Sequence, residues 1–261
     1  MNNSEGTRML AAERHALLLT RLARDGKLVA KDIATELHLS PDSIRRDLRE
    51  LAAAGLCQRV YGGALPVSAA IADYATRAGI EVASKDQLAQ AAVRLIDPGS
   101  TVILDGGTTN LAVARALPPD LFCTVITHSP TIASALLDHS GIEVIILGGR
   151  LFKHSAVTCG AAAMEAAQTI SADLFLLGVA GVHASEGLTT GDVEEAAMKR
   201  ALASRAAETY ALASTEKVGA MSRFRILPFE QLAGIVTNHP AHDPTLLELQ
   251  ELGVAIINAA S

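Results

Sequence analysis

From residue 85 onwards the sequence alternates runs of helical character with apolar runs rich in β-branched residues. The apolar runs are TVILD, FCTVIT, EVIIL, ADLFLLGV, TYALA, GIVTN and VAIIN, and helices are predicted over residues 85–96, 110–116, 130–139, 193–207 and 245–252. Strands that are regularly separated by helices favour a mainly parallel sheet covered on both faces. Aromatic residues make up only 3% of the chain, so the core must consist of Ala, Val, Leu and Ile. The sequence therefore predicts an α/β fold.

Residues 1–66 follow a different pattern, which predicts a small separate domain. Helices are predicted over residues 12–24 and 31–37, and a third begins at Pro41 with Ser40 as its N-cap. Gly55 is predicted to end this third helix. Two short extended runs then flank Gly62-Gly63, a pair that suits a hairpin turn. This order of elements is typical of a winged helix-turn-helix, whose third helix enters the major groove of DNA.

The third helix lies in the stretch SPDSIRRDLRELAAAG and has a polar face dense in arginine. Its apolar residues repeat at i, i+4 and i+7, which directs them to the core. The outward positions are Asp42, Ser43, Arg45, Arg46 and Arg49. Arginines one turn into such a helix can reach phosphates or guanine edges. The alternative is an ordinary solvated face, on which Asp42 and Arg46 form an i, i+4 ion pair.

The distribution of charge bears on the choice between these alternatives. The chain has a formal net charge of −6, which by itself argues against a nucleic-acid partner. Residues 1–66, however, hold ten Lys/Arg against eight Asp/Glu, and the remaining residues hold twelve against twenty. A mildly basic head on an acidic body is compatible with DNA binding through the head alone.

The stretch DGGTTN, residues 105–110, follows the predicted strand TVIL and opens a helix. Backbone N–H groups, a helix N-terminus and two hydroxyls meet there, which suits a phosphate. The alternative is an ordinary loop, and neither a dinucleotide fingerprint nor a P-loop is present. THSP, GGRLFK, GVAG and STEKVG follow other predicted strands. Ligands of open parallel sheets bind at this edge, so the loops predict one shared cleft.

Residues 13–65 resemble the winged-helix domain of the DeoR family of bacterial transcription regulators. SPDSIRRDL is similar to the family's S-x-x-T-I-R-R-D-L, and RVYGGAL is similar to its R-x-x-G-G-A wing. Ser43 stands where the family usually has Thr, which keeps the hydroxyl and removes a methyl group. The resemblance implies a double-stranded DNA operator as partner. It implies contacts from Ser40, Asp42, Ser43, Arg45, Arg46, Arg49 and Arg59.

The resemblance continues from about residue 85 to residue 238, through DGGTTN, LGGRLFKHSAVTCG and GVHASEGLTTGDVEEAAMKRAL. In that family the C-terminal domain is similar to ribose-5-phosphate isomerase and CoA transferases and senses phosphorylated sugars or related metabolites. The implied effector residues are Asp105, Gly106, Gly107, Thr108, Thr109, Thr127, Gly148, Gly149, Lys153, Asp192, Glu195 and Lys217. Ser214 stands where the family usually has Asp.

Two residues of this set, Lys217 and Glu195, also have simpler structural interpretations. Lys217 can be a solvated loop lysine, and Glu195 can form an i, i+4 surface pair with Lys199. We expect no metal and no cofactor, because the histidines are scattered and the three cysteines form no CxxC pair. Those cysteines are predicted to be buried thiols.

The expected organisation is a DNA-binding domain over residues 1–66, a linker over 67–84 and an effector-sensing domain over 85–261. The expected function is a cytoplasmic, homo-oligomeric repressor of carbohydrate-metabolism genes, with no membrane association, since no apolar run is long enough to span a bilayer. The alternative is a sugar-phosphate isomerase-like enzyme that carries a DNA-binding head, with Asp105 or Glu195 as its carboxylate base. The head has no use in that alternative.

Overall fold

The computed structural model of the chain describes residues 10–54, 56–66 and 73–259. The chain divides into two compact units, Met1–Val67 and Ser68–Ser261, which we call the head and the body. The predicted end of the third helix at Gly55 lies outside the described residues. Over the ranges just given, no helix combines the length and the apolar character needed to cross a membrane.

The head contains three helices and a small antiparallel sheet within its described residues. Its elements are α1 (Ala11–Asp25), β1 (Leu28–Val29), α2 (Ala30–Glu36), α3 (Pro41–Ala53), β2 (Cys57–Val60) and β3 (Gly63–Pro66), with strand order β1-β3-β2. Helix α3 begins where predicted, because the Ser40 hydroxyl accepts a hydrogen bond from the Ser43 N–H at 3.1 Å. The predicted apolar face of α3 is buried against α1 and α2. These elements confirm the winged helix-turn-helix.

The wing between β2 and β3 depends on its two glycines. Gly62 has a φ of +84°, a backbone conformation that residues with a side chain rarely adopt. A Cβ on Gly63 would lie 1.7 Å from the carbonyl oxygen of Leu28, so β1 and β3 can approach only with glycine there. Tyr61, at the turn, is fully exposed. The hairpin therefore presents an aromatic side chain at its tip.

The body is a parallel sheet with helices on both faces. Its helices are α4 (Tyr74–Ala78), α5 (Val82–Val93), α6 (Thr108–Ala116), α7 (Pro130–Ala135), α8 (Ala161–Gln168), α9 (Val193–Ala203) and α10 (Pro244–Glu251). Its strands are β4 (Thr101–Leu104), β5 (Cys123–Thr127), β6 (Ile142–Ile146), β7 (Arg150–Phe152), β8 (Val157–Cys159), β9 (Ala172–Gly178), β10 (Gly181–His183), β11 (Gly187–Thr190), β12 (Ala206–Ala213), β13 (Phe224–Arg225), β14 (Gly234–Thr237) and β15 (Ile256–Asn258).

The strand order reverses near the middle of the sheet. Over the described residues the main sheet has the order β15-β14-β12-β9-β4-β5-β6, with every pair parallel. The chain starts at β4, proceeds to β6, and returns to β9 on the other side of β4 before it continues outward. The loops after β4 and β9 therefore diverge to opposite faces, and open α/β sheets bind ligands at such a reversal point.

Successive residues of the central strands pack on opposite faces of the sheet. Val102 and Leu104 join a core with residues of α5, α6 and α7, whereas Ile103 joins a second core with residues of α8, α9 and α10. Each strand is thus apolar on both sides, as the continuous apolar runs predict. Cys57, Cys123 and Cys159 are buried, as predicted.

All seven predicted strands are present in the main sheet, but three predicted helices are three or four residues too long. The helix predicted over 85–96 ends at Val93. The helix predicted over 193–207 ends at Ala203, and Ala206 already pairs with Ala172 in the sheet. The helix predicted over 130–139 ends at Ala135, and the ring of His139 binds the carbonyl oxygen of Pro118 at 2.8 Å instead. Alanine favours a helix, so local sequence does not mark the ends at Ala203 and Ala135, and tertiary contacts set both boundaries.

The segment predicted as a linker contains regular structure. Residues 73–84 form helix α4 and the beginning of α5. The carboxylate of Asp73 caps α4 by accepting a hydrogen bond from the Thr76 N–H at 2.9 Å. The remainder of that segment, residues 67–72, lies outside the described residues.

Candidate functional site

The arginines of α3 lie on the surface of the head, as the helical pattern predicts. Arg45, Arg46 and Arg49 are exposed. Arg45 donates a hydrogen bond to the carboxylate of Asp42 at 2.9 Å, an i, i+3 pair that replaces the predicted pairing of Asp42 with Arg46. The exposed pair is worth little to stability, so Arg45 can exchange Asp42 for another anion at small cost.

A cleft of about 310 Å³ separates α3 from the wing. Arg45 lines one side, and Arg59 and Tyr61 line the other. Two arginines that line one cleft between a helix and a hairpin suit a phosphodiester backbone, because arginine forms paired hydrogen bonds with phosphate oxygens. Ser40 and Ser43 are already hydrogen-bonded to each other, with 2.9 Å between their hydroxyl oxygens.

Asp47, on the buried side of α3, secures this helix to α1. Its carboxylate accepts hydrogen bonds from Arg14, one of them at 2.7 Å, and lies 3.3 Å from the ring of His15. Burial alone would raise the pKa of Asp47, but the guanidinium of Arg14 outweighs burial and lowers it. This contact fixes the orientation of the arginine face of α3.

In the body, Asp105 lies at the carboxyl end of β4 and is fully buried. One carboxylate oxygen accepts hydrogen bonds from the Gly106 N–H at 2.8 Å and from the His128 ring at 2.9 Å. The other accepts from the Gly178 N–H at 2.8 Å and from the ammonium of Lys199. Asp105 therefore joins the ends of β4, β5 and β9 with helix α9.

The charge of Asp105 is fixed by this environment. Burial alone would raise its pKa, but the ammonium of Lys199 and the hydrogen bond from His128 outweigh burial and lower the pKa to about 2. The other ring nitrogen of His128 lies 3.1 Å from the carbonyl oxygen of Thr158. Both oxygens of Asp105 are thus engaged within the protein, which favours a positioning role over direct contact with a sugar hydroxyl.

The loop after Asp105 forms the N-terminus of α6. Gly106 is tightly enclosed, since a Cβ there would lie 2.0 Å from a methyl carbon of Val157. Gly107 is the N-cap residue and has a φ of +103°. Thr108 and Thr109 form the first turn, where backbone N–H groups have no partner within the helix. This loop has the geometry that anions favour.

Two cationic side chains, those of Lys217 and Arg77, approach the loop. The ammonium of Lys217 lies 3.5 Å from the hydroxyl of Thr109. Burial lowers the pKa of Lys217, and Glu216 opposes that shift. The neighbouring cations Arg77, Lys85 and Lys199 lower it further, to about 8. Lys217 is therefore held among like charges, a condition that a bound anion would relieve.

The other predicted effector residues occupy several different environments. Thr127 is buried and donates to the carbonyl oxygen of Leu104 at 2.7 Å, so it holds β5 against β4. Gly148, Gly149 and Lys153 are exposed around β7 and the turn after it. A Cβ on Gly149 would lie 2.9 Å from that of Ala163, which indicates a packing constraint at this position.

The two acidic residues of α9 also have local partners. Asp192 caps the helix, since its carboxylate accepts hydrogen bonds from the N–H groups of Glu194 at 2.9 Å and Glu195 at 3.1 Å. Glu195 accepts from the Thr190 hydroxyl at 3.4 Å and interacts electrostatically with Arg77. The predicted surface pair of Glu195 with Lys199 is wrong, because Lys199 binds Asp105.

Four residues near the loop were not predicted from the sequence. His128 and Lys199 hold Asp105, and Arg77 approaches Gly107 from α4. Asn110 is buried, and neither of its amide atoms has a hydrogen-bond partner in the part of the chain that the structure describes. His128 lies in THSP and Asn110 ends DGGTTN, so both motifs already mark these positions. Arg77 gives no such signal, because it falls in a stretch without clear periodicity.

Comparison with known proteins identifies the family of the chain. The family model of the DeoR C-terminal sensor domain matches residues 80–239, and that of the DeoR-like helix-turn-helix domain matches residues 14–69. The HTH-type transcriptional repressor GlcR of Bacillus subtilis is 32% identical over 88% of this chain and 89% of its own. The HTH-type transcriptional regulator GlpR of Haloferax volcanii is 30% identical over 97% of this chain and 100% of its own.

Among solved structures, ribose 5-phosphate isomerase A from Methanocaldococcus jannaschii aligns over 51% of this chain and 52% of its own, with 18% identity and a TM-score of 0.38. The two relatives that match nearly the whole chain are named as regulators of transcription, so the isomerase alternative is not favoured. The chain belongs to the DeoR family and is a DNA-binding transcription regulator, with a DeoR-like helix-turn-helix head and a DeoR C-terminal sensor domain.

Proposed function

We propose that the body binds a phosphorylated sugar, or a related phosphorylated metabolite, at the loop of residues 105–109, and that binding changes the affinity of the head for its operator. The convergence of cations on the N-terminus of α6 carries this proposal. Lys217 approaches Thr109, and Arg77 approaches Gly107. A neutral sugar would leave this excess of positive charge uncompensated, whereas a phosphate dianion neutralises it.

The phosphate accepts hydrogen bonds from the backbone of the first turn of α6 and from the hydroxyls of Thr108 and Thr109. Asp105 does not contact it; its carboxylate holds Gly106 and the ends of the neighbouring strands in place. Glu195, which is partly exposed and near Arg77, is the acidic group that we assign to a sugar hydroxyl. Lys153 is exposed, so we favour Lys217 over Lys153 as the phosphate-binding lysine.

The regulator acts as a repressor of carbohydrate-metabolism genes and works as a homo-oligomer. A single winged helix reads a short half-site, and linked heads bind more tightly than separate ones. The edge strand β6 leaves Ile145 and Ile146 40% and 50% exposed, which offers an apolar surface to a second copy. Light scattering after gel filtration would contradict this part of the proposal if it found a monomer at working concentration.

A thermal-shift panel tests the ligand class. We expect ribose 5-phosphate, glucose 6-phosphate, fructose 6-phosphate or glycerol 3-phosphate to raise the melting temperature, because a ligand that binds only the native state stabilises it. The unphosphorylated compounds serve as matched ligands and should give no shift. Absence of any shift with phosphorylated compounds, including inorganic phosphate at millimolar concentration, would contradict the proposal.

Variants assign the response to the proposed site. Lys217→Met should abolish the shift, whereas Arg94→Gln should keep it, because Arg94 is an exposed arginine at the C-terminal end of α5. Lys153→Met decides between the two predicted lysines. A shift that persists in Lys217→Met and disappears in Lys153→Met would move the phosphate to β7 and its turn.

A further inference from the structure

The short helix α4 is attached to the rest of the body by polar contacts. The Tyr74 hydroxyl donates to the hydroxyl of Thr131 at 3.0 Å, and the Tyr74 N–H donates to the carbonyl oxygen of His154 at 2.9 Å. The ammonium of Lys85 donates to the carbonyl oxygen of Arg77 at 2.6 Å. Residues of α4 are all at least partly exposed. The helix is therefore held by few hydrogen bonds and little apolar burial.

Arg77 extends from α4 to the loop before α6. One terminal nitrogen of its guanidinium lies 3.9 Å from the position that a Cβ would take on Gly107. The other terminal nitrogen lies 3.4 Å from the carbonyl oxygen of His154, at the upper limit for a hydrogen bond. The Nε atom is buried and has no hydrogen-bond partner among the described residues. A buried unpaired N–H of a cation is costly unless a ligand accepts from it.

We propose that Arg77 is a ligand of the effector's phosphate, and that α4 is consequently held in its place by occupancy of the site. This inference rests on the proposed function and deepens it. The chemical class required is a phosphomonoester, because its oxygens can accept from the guanidinium on one side and from the first turn of α6 on the other. Arg77 and Lys217 then neutralise the two charges of the phosphate.

The position of α4 in the chain gives this contact a regulatory meaning. The helix is the first described element of the body, and residues 67–72 connect it to the last described residue of the head, Pro66. A phosphate bound by Arg77 stabilises the point at which the connecting segment enters the body. In this proposal α4 is more ordered with phosphate bound than without it, and this difference couples the ligand site to the head.

The competing interpretation is that Arg77 is only structural and serves as the counter-charge of Glu195. Both interpretations predict that loss of Arg77 lowers stability, so stability alone does not separate them. Phosphate affinity does. A structural arginine would leave the affinity of the folded protein for inorganic phosphate unchanged, whereas a ligand would not.

The experiment measures phosphate binding and the hydrogen exchange of α4 in the full-length protein. For the parent we expect inorganic phosphate to slow amide exchange in the peptide that covers residues 73–81. Arg77→Gln should weaken phosphate binding at least tenfold by calorimetry and should remove that protection. Arg77→Lys retains the positive charge and loses the paired N–H donors of the guanidinium, so its phosphate affinity should fall between those of the parent and Arg77→Gln. Arg94→Gln should behave as the parent.

The outcomes separate this inference from the proposed function. If Arg77→Gln binds phosphate with parental affinity while Lys217→Met does not, Arg77 is not a ligand, and the proposed site stands without it. If Arg77→Gln loses affinity but α4 exchanges at the same rate with and without phosphate in the parent, the coupling part is wrong. If the parent binds neither phosphate nor any sugar phosphate, both proposals fail. Circular dichroism of each variant verifies that the body remains folded.

Discussion

Lys199 on α9 and Asp105 at the end of β4 form an ion pair in which both side chains are buried. The same ammonium donates to the carbonyl oxygen of Gly178 at 2.9 Å, at the end of β9. The pair therefore connects α9, the helix that carries Glu195, with the central strands β4 and β9. The order of the sheet reverses between these two strands. The geometry of the proposed phosphate loop depends on this connection.

Removal of one partner of the pair should destabilise the body. We expect Asp105→Asn to cost about 3–5 kcal/mol, because it leaves Lys199 buried without a counter-charge. Thermal unfolding monitored by calorimetry measures this loss. Asp97→Asn, at an exposed carboxylate, provides the matched control. Equal melting temperatures for the two variants would show that the pair contributes little.

The pair should also make stability fall in acid. The pKa of Asp105 is lowered from 3.8 to about 2 in the folded protein. Its contribution is therefore fully present above pH 4 and is lost as the pH falls from about 4 towards 2. Urea unfolding at a series of pH values should show a smaller acid-dependent loss in Asp105→Asn than in the parent. Identical slopes would contradict the assigned pKa.

A side chain at Gly107 should abolish sugar-phosphate binding and leave DNA binding intact. Gly107 has a φ of +103°, so Gly107→Val strains the backbone as well as filling the space in front of Arg77. Calorimetry with the panel compound that stabilises the parent most, together with inorganic phosphate, measures the loss. Gly79→Ala is the matched control, because its Cβ would lie no closer than 3.9 Å to its neighbours. Parental affinity in Gly107→Val would place the site elsewhere.

Binding of phosphate should take up a proton near Lys217 in mildly alkaline solution. The pKa of Lys217 is about 8 in the protein without ligand, and a bound dianion raises it. Affinity should be highest near pH 7: it should fall in acid, because a phosphomonoester loses its second charge near pH 6, and it should fall as the pH rises beyond about 8, because Lys217 loses its proton. Calorimetry in two buffers of different ionisation enthalpy counts the protons. Lys217→Met should lose the residual pH dependence in this range together with affinity.

The arginines of α3 should dominate DNA affinity. Arg45→Ala combined with Arg46→Ala should weaken binding at least tenfold and reduce the salt dependence, because the variant neutralises fewer phosphates and so releases fewer counterions. The probe is a duplex selected by this protein from a random-sequence pool. The double variant Arg94→Ala, Arg115→Ala removes the same charge from exposed positions of the body and should bind as the parent does. Equal salt slopes in both double variants would contradict the assignment.

Much of the architecture could be predicted because its signals are local. Ser40, Pro41 and the spacing of Ile44 with Leu48 define α3 within a few residues, and the apolar runs mark each strand of the main sheet. The ends of α7 and α9 could not be predicted, because tertiary contacts set them: His139 binds the carbonyl oxygen of Pro118 after α7, and Ala206 pairs with Ala172 after α9.

The candidate site was predictable only in part, because only some of its signals are local in the sequence. The loop before α6 has a local signature, but its cations come from distant parts of the chain. Nothing in the sequence around Lys199 indicates a buried partner, since its counter-charge is Asp105, directly after β4. Arg77 resembles any solvated arginine until the fold brings it beside Gly107. Long-range placement of this kind is set by packing and is not visible in residue spacing.

The order of strands in the sheet also has a consequence for synthesis. The head is complete once residue 67 has been made, whereas Lys217 follows β12, one of the last strands of the main sheet. Domains generally fold as units as the ribosome produces them, the N-terminal one first. A newly made chain therefore gains the fold that recognises DNA before its ligand site exists. We expect a ribosome-bound chain arrested after Arg150 to have a folded head and no sugar-phosphate response, so inducibility is the last property that the regulator acquires.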